Sequence, residues 1–238
     1  MKTFFKILAF IIYMIGAMFK TIKLKLLKKY SSKEKYTKYL NTSVYKWANA
    51  IVKIVGINLE VVGKENIPNE ACLFVSNHQS NLDVPCLIAG LNKPFGFIAK
   101  KELVKAPIIK TWMQEIKCVF IDRKNVRESL KAILKGAENL NNGHNMVIFP
   151  EGTRSKSSKL GEFKKGSMKL ATKAKVKVVP ITIDGTYKGF EGNEGFQFKS
   201  ANVKIIVHQP IEVKGLDREE KNELAEKVKE IIASGLHQ

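Results

Sequence analysis

The chain has little cysteine and no paired cysteine motif. Cys72, Cys86 and Cys118 are odd in number and form no CxxC spacing, so neither a disulfide framework nor a thiolate metal site is written here. They read as buried, reduced thiols, with Cys72 and Cys118 inside apolar runs. His78, His144, His208 and His237 show no HExxH or similar arrangement, and no metal is expected. A Walker-type GxxxxGK(S/T) loop is missing, as is the GxSxG elbow of serine hydrolases. Acid is scarce: 22 acidic residues face 41 basic ones, a net charge of +19, and only four of the basic residues are arginine. Such an excess suits an anionic partner: nucleic acid, an anionic membrane or a phosphorylated ligand. Zinc-finger, RRM and KH patterns are all lacking, so no nucleic acid is expected. Lysine supplies a diffuse field, whereas arginine grips phosphate through a fixed fork. Arg123 and Arg154 therefore carry the more specific information.

The chain also lacks an uninterrupted apolar run long enough to span a bilayer. Met1 to Phe19 is broken by Lys6, leaving 13 residues from Ile7 to Phe19, short of the roughly 20 required. The lysines after Phe19 fit signal cleavage poorly, and a retained anchor is the preferred reading. Residues 20 to 38 hold eight lysines against Glu34. Such a patch attracts anionic lipid and biases its flank to the cytoplasmic side. Leu40, Val44, Trp47, Ala48, Ile51 and Val55 then recur at helical spacing. Tyr45 and Trp47 suit either a headgroup layer or plain core packing.

What is present beyond residue 56 alternates between strand and helix. Residues 59–62, 71–75, 95–99, 117–121, 146–149, 176–183 and 203–207 read as strands. Helices are expected over 83–91, 103–113 (with Pro107 as a bend), 126–140, 164–173 and a terminal stretch capped by Asp217 and Glu220. Val126, Leu130, Ile133, Leu134, Ala137 and Leu140 form a clear helical stripe over 126–140, a face expected to turn to the core. The pattern predicts an α/β fold, a mixed or largely parallel sheet flanked by helices, with an N-terminal membrane-docking helical segment. The expected division is residues 1–56 for docking and 57–238 for the α/β domain.

Two polar segments follow apolar runs. In Ser76-Asn77-His78-Gln79-Ser80-Asn81-Leu82-Asp83 a histidine precedes an aspartate by five residues. On an ideal helix the two side chains would diverge by about 140°. His78 is therefore expected in a turn and Asp83 in the helix that follows. An imidazole accepts a proton near neutrality, and a carboxylate can hold its tautomer. With no protein nucleophile in a special context, such a dyad would activate a hydroxyl of the substrate. A capped polar turn with a hydrogen-bonded histidine fits the same spacing. The second segment is Phe149-Pro150-Glu151-Gly152-Thr153-Arg154-Ser155. Gly152 permits positive φ, Thr153 supplies a hydroxyl, and Arg154 can hold phosphate bidentately. Glu151 could orient Arg154 or a substrate hydroxyl; the segment could also be a plain turn. Asp122-Arg123 offers another guanidinium at a strand end, where a plain salt bridge fits as well.

These blocks, taken in order, resemble the glycerolipid acyltransferase family, especially its bacterial 1-acylglycerol-3-phosphate acyltransferases. Residues 77–83 look like its catalytic block, Phe120-Ile121-Asp122-Arg123 like its second, residues 149–155 like its third and Val179-Pro180-Ile181 like its fourth. Lys110 and Lys117 stand where glycine is usual. The resemblance implies that His78 is the general base with Asp83 as its partner. It implies phosphate or glycerol contacts from Arg123, Glu151, Gly152, Thr153 and Arg154, and an acyl-donor region near Pro180. The expected reaction acylates the sn-2 hydroxyl of lysophosphatidic acid from acyl-CoA or acyl-carrier protein, with no cofactor. The expected place is the cell membrane, against an anionic surface, with the catalytic domain on the cytoplasmic side. Glycerol 3-phosphate or another lysolipid is the alternative acceptor. A noncatalytic basic membrane- or nucleic-acid-binding protein is the rival class.

Overall fold

Seven strands line up in one sheet in the computed structural model, which describes residues 2–122, 125–195 and 197–236. They are β1 (Ile57–Val62), β2 (Leu73–Ser76), β3 (Gly96–Lys100), β4 (Val119–Ile121), β5 (Met146–Ile148), β6 (Val178–Asp184) and β7 (Ala201–Val207). Their order is β1-β7-β6-β2-β5-β3-β4. Every pairing is parallel except β6 with β7. The sheet is therefore mixed and mostly parallel, as the alternating pattern predicts. β2 lies at its centre with all four residues buried. That explains its continuous apolar run: a parallel strand covered on both faces has no polar side to show.

The helices are α1 (Lys2–Tyr30), α2 (Lys33–Val55), α3 (Asp83–Leu91), α4 (Pro107–Glu115), α5 (Val126–Asn141), α6 (Lys169–Ala174), α7 (Thr186–Gly189) and α8 (Arg218–Gly235). Two apolar cores flank the sheet. One joins α2 and α3 to one face through Ala48, Ile51, Val55, Leu87, Phe74 and Val147. The other joins α5, α6 and α8 to the opposite face through Ala137, Leu140, Leu170, Val228 and Ile232. Trp47 packs against the first core, and Tyr45 is exposed.

Local chemistry sets the helix ends. Ser32 caps α2 by accepting from the Lys35 N–H, and Gly56 closes it at φ 81°. Asp217 and Glu220 form the expected reciprocal capping box on α8. Two details depart from the sequence reading. Pro107 starts α4 at its first turn rather than bending a longer helix, and 101–105 forms a separate 3₁₀ turn; a proline N–H is not needed at that position. The apolar stripe of α5 is split. Ala132, Gly136, Ala137 and Leu140 face inward, while Val126, Leu130 and Leu134 are exposed. Close packing selects the small face, since a Cβ at Gly136 would lie 2.3 Å from Leu170 Cδ2. Lys117, where glycine is usual in the resembling family, adopts φ 65°, a left-handed conformation that disfavours side chains.

Helix α1 runs unbroken through Lys6. The lysine turns toward the protein, donating to the Val55 carbonyl (2.6 Å) and the Ser200 hydroxyl (3.1 Å). The stretch Phe4–Tyr30 is long and apolar enough to cross a membrane. Contacts tie α1 to the domain along its length. Phe10 meets Phe198 edge-on at 5.8 Å, Thr21 accepts from Trp112 Nε1 at 2.8 Å, and Lys28 pairs with Glu115 at 2.7 Å. Its other face exposes Phe4, Phe5, Ile11, Ile12, Ile15 and Phe19.

Candidate active site

The polar segments meet at the carboxyl ends of β2, β5 and β6, where open α/β sheets place their ligand crevices. Asn77, the first residue after β2, locks the arrangement. Its Nδ2 donates to the Ile183 carbonyl and its Oδ1 accepts from the Ile183 N–H, both at 2.8 Å. That two-point clasp fixes where the turn leaves the sheet.

His78 sits in the turn and Asp83 opens α3, as the five-residue spacing requires. His78 Nδ1 lies 2.6 Å from Asp83 Oδ2. The Asp83 side chain is fully buried, and the imidazole is 17% exposed. Asp83 Oδ2 also accepts from the backbone N–H groups of Gln79 (2.8 Å) and Ser80 (3.0 Å), and Oδ1 accepts from the Thr186 hydroxyl. Four donors thus surround one carboxylate, which offsets the cost of burying it. An ionised carboxylate only accepts, so the ring hydrogen sits on Nδ1 and Nε2 keeps a lone pair. The ring stacks on Phe149 at 4.1 Å and 14°, so its plane is held as well as its edge.

The turn after β5 is laid directly against the histidine turn. The Ser155 N–H donates to the His78 carbonyl (2.8 Å) and the Lys156 N–H to the Gln79 carbonyl (3.2 Å). Gly152 closes this turn at φ 73°. Thr153 is exposed, and Arg154 is 34% exposed beside the turn. Glu151 faces inward: its carboxylate accepts from the His78 N–H (2.7 Å) and the Gly161 N–H (2.9 Å). Burial pushes its carboxyl above the ordinary carboxylate range, and the two N–H donors pull against that rise. The partner of Arg154 is Glu191, not Glu151.

Other named residues lie outside this cluster. Pro180 is buried in β6 beside Val75 of β2. Its carbonyl accepts from the His208 N–H at 3.0 Å. Arg123 lies outside the described residues. Its neighbour Asp122 follows β4, a strand three places from β2 or about 14 Å across the sheet, and accepts from Lys101 at 3.2 Å. The three cysteines are buried and free; burial pushes the thiols up, to about 12 for Cys72 and Cys118. Such thiols are inert at neutral pH. Among the described residues, no group of three histidine, cysteine, aspartate or glutamate side chains is arranged to hold a metal.

Sequence reasoning did not single out Thr186 or Glu191, and it gave Asn77 and Phe149 no role of their own within the segments that contain them. Thr186 and Glu191 lie more than 100 positions from the turn they brace, and no local spacing signals such a contact.

A fold of this kind, with a histidine–aspartate pair at the sheet's carboxyl edge and an arginine turn against it, defines a class. The acyltransferase family model matches residues 58–184, just over half of the 238 residues, and the chain belongs to that family. A probable 1-acyl-sn-glycerol-3-phosphate acyltransferase of Mycoplasma pneumoniae is 37% identical over 179 residues, which span 71% of this chain and 67% of that protein. A chloroplastic 1-acyl-sn-glycerol-3-phosphate acyltransferase of Arabidopsis thaliana is 41% identical over 169 residues. That match spans 69% of this chain and 46% of the plant protein. The crystal structure of the 1-acyl-sn-glycerophosphate (LPA) acyltransferase of Thermotoga maritima superposes with a TM-score of 0.83 at 30% identity. The match covers 100% of this chain and 97% of that one.

Proposed function

We propose that this protein transfers an acyl chain from an acyl thioester to the sn-2 hydroxyl of lysophosphatidic acid, giving phosphatidic acid. The observation that carries the reading is the partly open His78 imidazole. Its Nδ1 is anchored 2.6 Å from a fully buried carboxylate, beside the turn that bears Arg154. The names of the relatives point to the same acceptor.

In this mechanism Nε2 of His78 takes the proton of the acceptor hydroxyl. The oxygen attacks the thioester carbonyl, a carbon–oxygen bond forms, and a tetrahedral oxyanion results. Its collapse breaks the carbon–sulfur bond, and the leaving thiolate takes the proton from the imidazolium. Asp83 stabilises that imidazolium without itself becoming protonated. Arg154, with Thr153 and the Gly152 backbone, holds the phosphate, and Arg123 is the further phosphate or glycerol contact that the family resemblance implies. Glu151 acts by holding the His78 backbone in place. Pro180 belongs to the region that receives the donor, which is acyl-CoA or acyl-carrier protein. No cofactor takes part.

Residues 1–56 act as the membrane-docking segment and 57–238 as the catalytic domain. Contacts at Lys6, Phe10, Thr21 and Lys28 extend over about 33 Å of helix at 1.5 Å per residue. A helix crossing the bilayer would leave these partners behind, so α1 lies along the surface with its exposed apolar face in the acyl region. The lysines of residues 20–38 meet anionic headgroups on the cytoplasmic side.

The test uses purified full-length protein in vesicles with lysophosphatidic acid or glycerol 3-phosphate, offered acyl-CoA and acyl-carrier protein in turn. Mass spectrometry should detect phosphatidic acid with at least one donor. Acylation of glycerol 3-phosphate alone would move the protein to the alternative acceptor, and no ester on any acceptor would defeat the reading.

A further inference from the structure

We propose that Glu191 is a positioning residue that sets Arg154 and the His78 turn at one fixed separation. An acceptor held by its phosphate then presents its hydroxyl to the imidazole. The inference rests on the acyl-transfer reading above, with Arg154 as a phosphate ligand.

The geometry is a three-donor clamp. Glu191 Oε1 accepts from Arg154 Nη1 at 2.7 Å and from the Asn81 N–H at 2.9 Å, and Oε2 accepts from the Ser80 hydroxyl. Ser80 and Asn81 lie between His78 and Asp83 in the catalytic turn. Arg154 comes from the turn after β5. One carboxylate thus joins two loops that leave different strands. An exposed ion pair contributes little, but this acceptor is only 9% exposed and takes donors from both sides. A guanidinium presents five N–H groups in a rigid fork. Glu191 takes one and orients the plane, and the others remain for a phosphate.

The clamp is itself held from behind. Glu191 follows Phe190, whose ring packs 5.0 Å from Phe198, and Phe198 meets Phe10 of α1. The loop that carries the carboxylate therefore rests on the docking helix.

A positioning role predicts a loss in turnover rather than in affinity, since Arg154 keeps its charge when Glu191 is removed. With lysophosphatidic acid, Glu191→Ala should lower kcat about tenfold or more, because small misplacements of a held acceptor are costly. KM should change by less than about threefold. Glu191→Gln retains an oxygen acceptor and should recover most of the loss, to within about threefold of the parent kcat. In an Arg154→Ala background, Glu191→Ala should cost less than it does alone, because one end of the clamp is gone; coupling of about threefold or more is expected. A pure KM effect, a glutamine protein no better than alanine, or losses that simply multiply would each overturn the proposal. Should the alanine protein fail to fold, the same cycle is run with Glu191→Met, which fills the volume without an acceptor oxygen, and is judged on the same criterion. If the parent protein forms no phosphatidic acid, the functional reading falls and takes this inference with it. Parent turnover with multiplicative losses removes the inference alone.

Discussion

Asparagine at position 83 isolates the charge of the His78–Asp83 pair from its geometry. Asp83 Oδ2 accepts from His78 Nδ1, Gln79 N and Ser80 N, and Oδ1 accepts from Thr186. An asparagine must leave its carbonyl where three N–H groups converge. Its NH₂ then turns to the Thr186 oxygen, and the Thr186 hydrogen swings to Gln79 Oε1, 3.4 Å away. The histidine tautomer is kept, and only the negative charge facing the imidazolium is lost. A hydrogen bond to a charged group contributes about 1.5–3 kcal/mol and a neutral one about 0.5–1.5 kcal/mol. The difference, about 1–1.5 kcal/mol, lowers kcat by about 5- to 13-fold. The side-chain volume is unchanged, but the amide brings two N–H donors into a buried site and Thr186 accepts only one; the other costs about 1–3 kcal/mol, so Tm should fall by about 2–4 °C for each kcal/mol. The assay is the rate of thiol release at saturating lysophosphatidic acid, with the melting curve run in parallel. A folded Asp83→Asn protein that loses about ten-thousandfold would mean that the amide has flipped its NH₂ toward His78, against the convergence of three donors. A protein with unchanged kcat would mean that Asp83 does not support the base at all.

Three further outcomes are expected. Glu151→Gln leaves one of the two buried N–H groups, His78 or Gly161, facing an NH₂; that costs about 1–3 kcal/mol, or about 2–4 °C in Tm for each kcal/mol, and an unshifted melt would refute the inward role of Glu151. Burial lowers the pKa of His208, whose Nε2 lies 2.8 Å from the Thr182 hydroxyl oxygen. The unfolded chain therefore binds the proton more readily, and stability present above about pH 6.5 is lost as pH falls. Urea midpoints at pH 7.5 and 5.5 should differ less in His208→Gln than in the parent, and an equal difference would contradict this. Serine in place of Phe4, Ile11 and Ile15, which are 65%, 48% and 52% exposed, should weaken vesicle capture. About 2–4 kcal/mol of transfer energy is lost, a reduction of about thirtyfold or more, and unchanged sedimentation with vesicles would refute docking through this face.

The layered fold was legible because its signals are local. The β2 and β5 runs are apolar on both sides, Asp217 and Glu220 mark a helix start, and residues 141–143 mark a helix stop. The histidine turn was legible for a similar reason: five-residue spacing excludes a helix carrying both side chains on one face. What stayed hidden depends on tertiary return. Glu151 looks like a substrate ligand in the sequence, but only the fold shows the two N–H groups that turn it inward. Lys6 breaks the apolar run in the sequence, and only the fold brings the Val55 carbonyl and Ser200 beside it. Thr186 and Glu191 sit in an unremarkable stretch, and they reach the site only because β6 pairs next to β2. The apolar stripe of α5 misled about burial, since Leu170 demands a small residue at Gly136 and rotates the larger side chains outward.

The most direct measurement of the central claim is lysophosphatidic acid-dependent thiol release by the parent protein and by His78→Ala, at equal vesicle binding. The parent should release one thiol per phosphatidic acid formed, and the variant none above background. Equal rates from both proteins would contradict the claim.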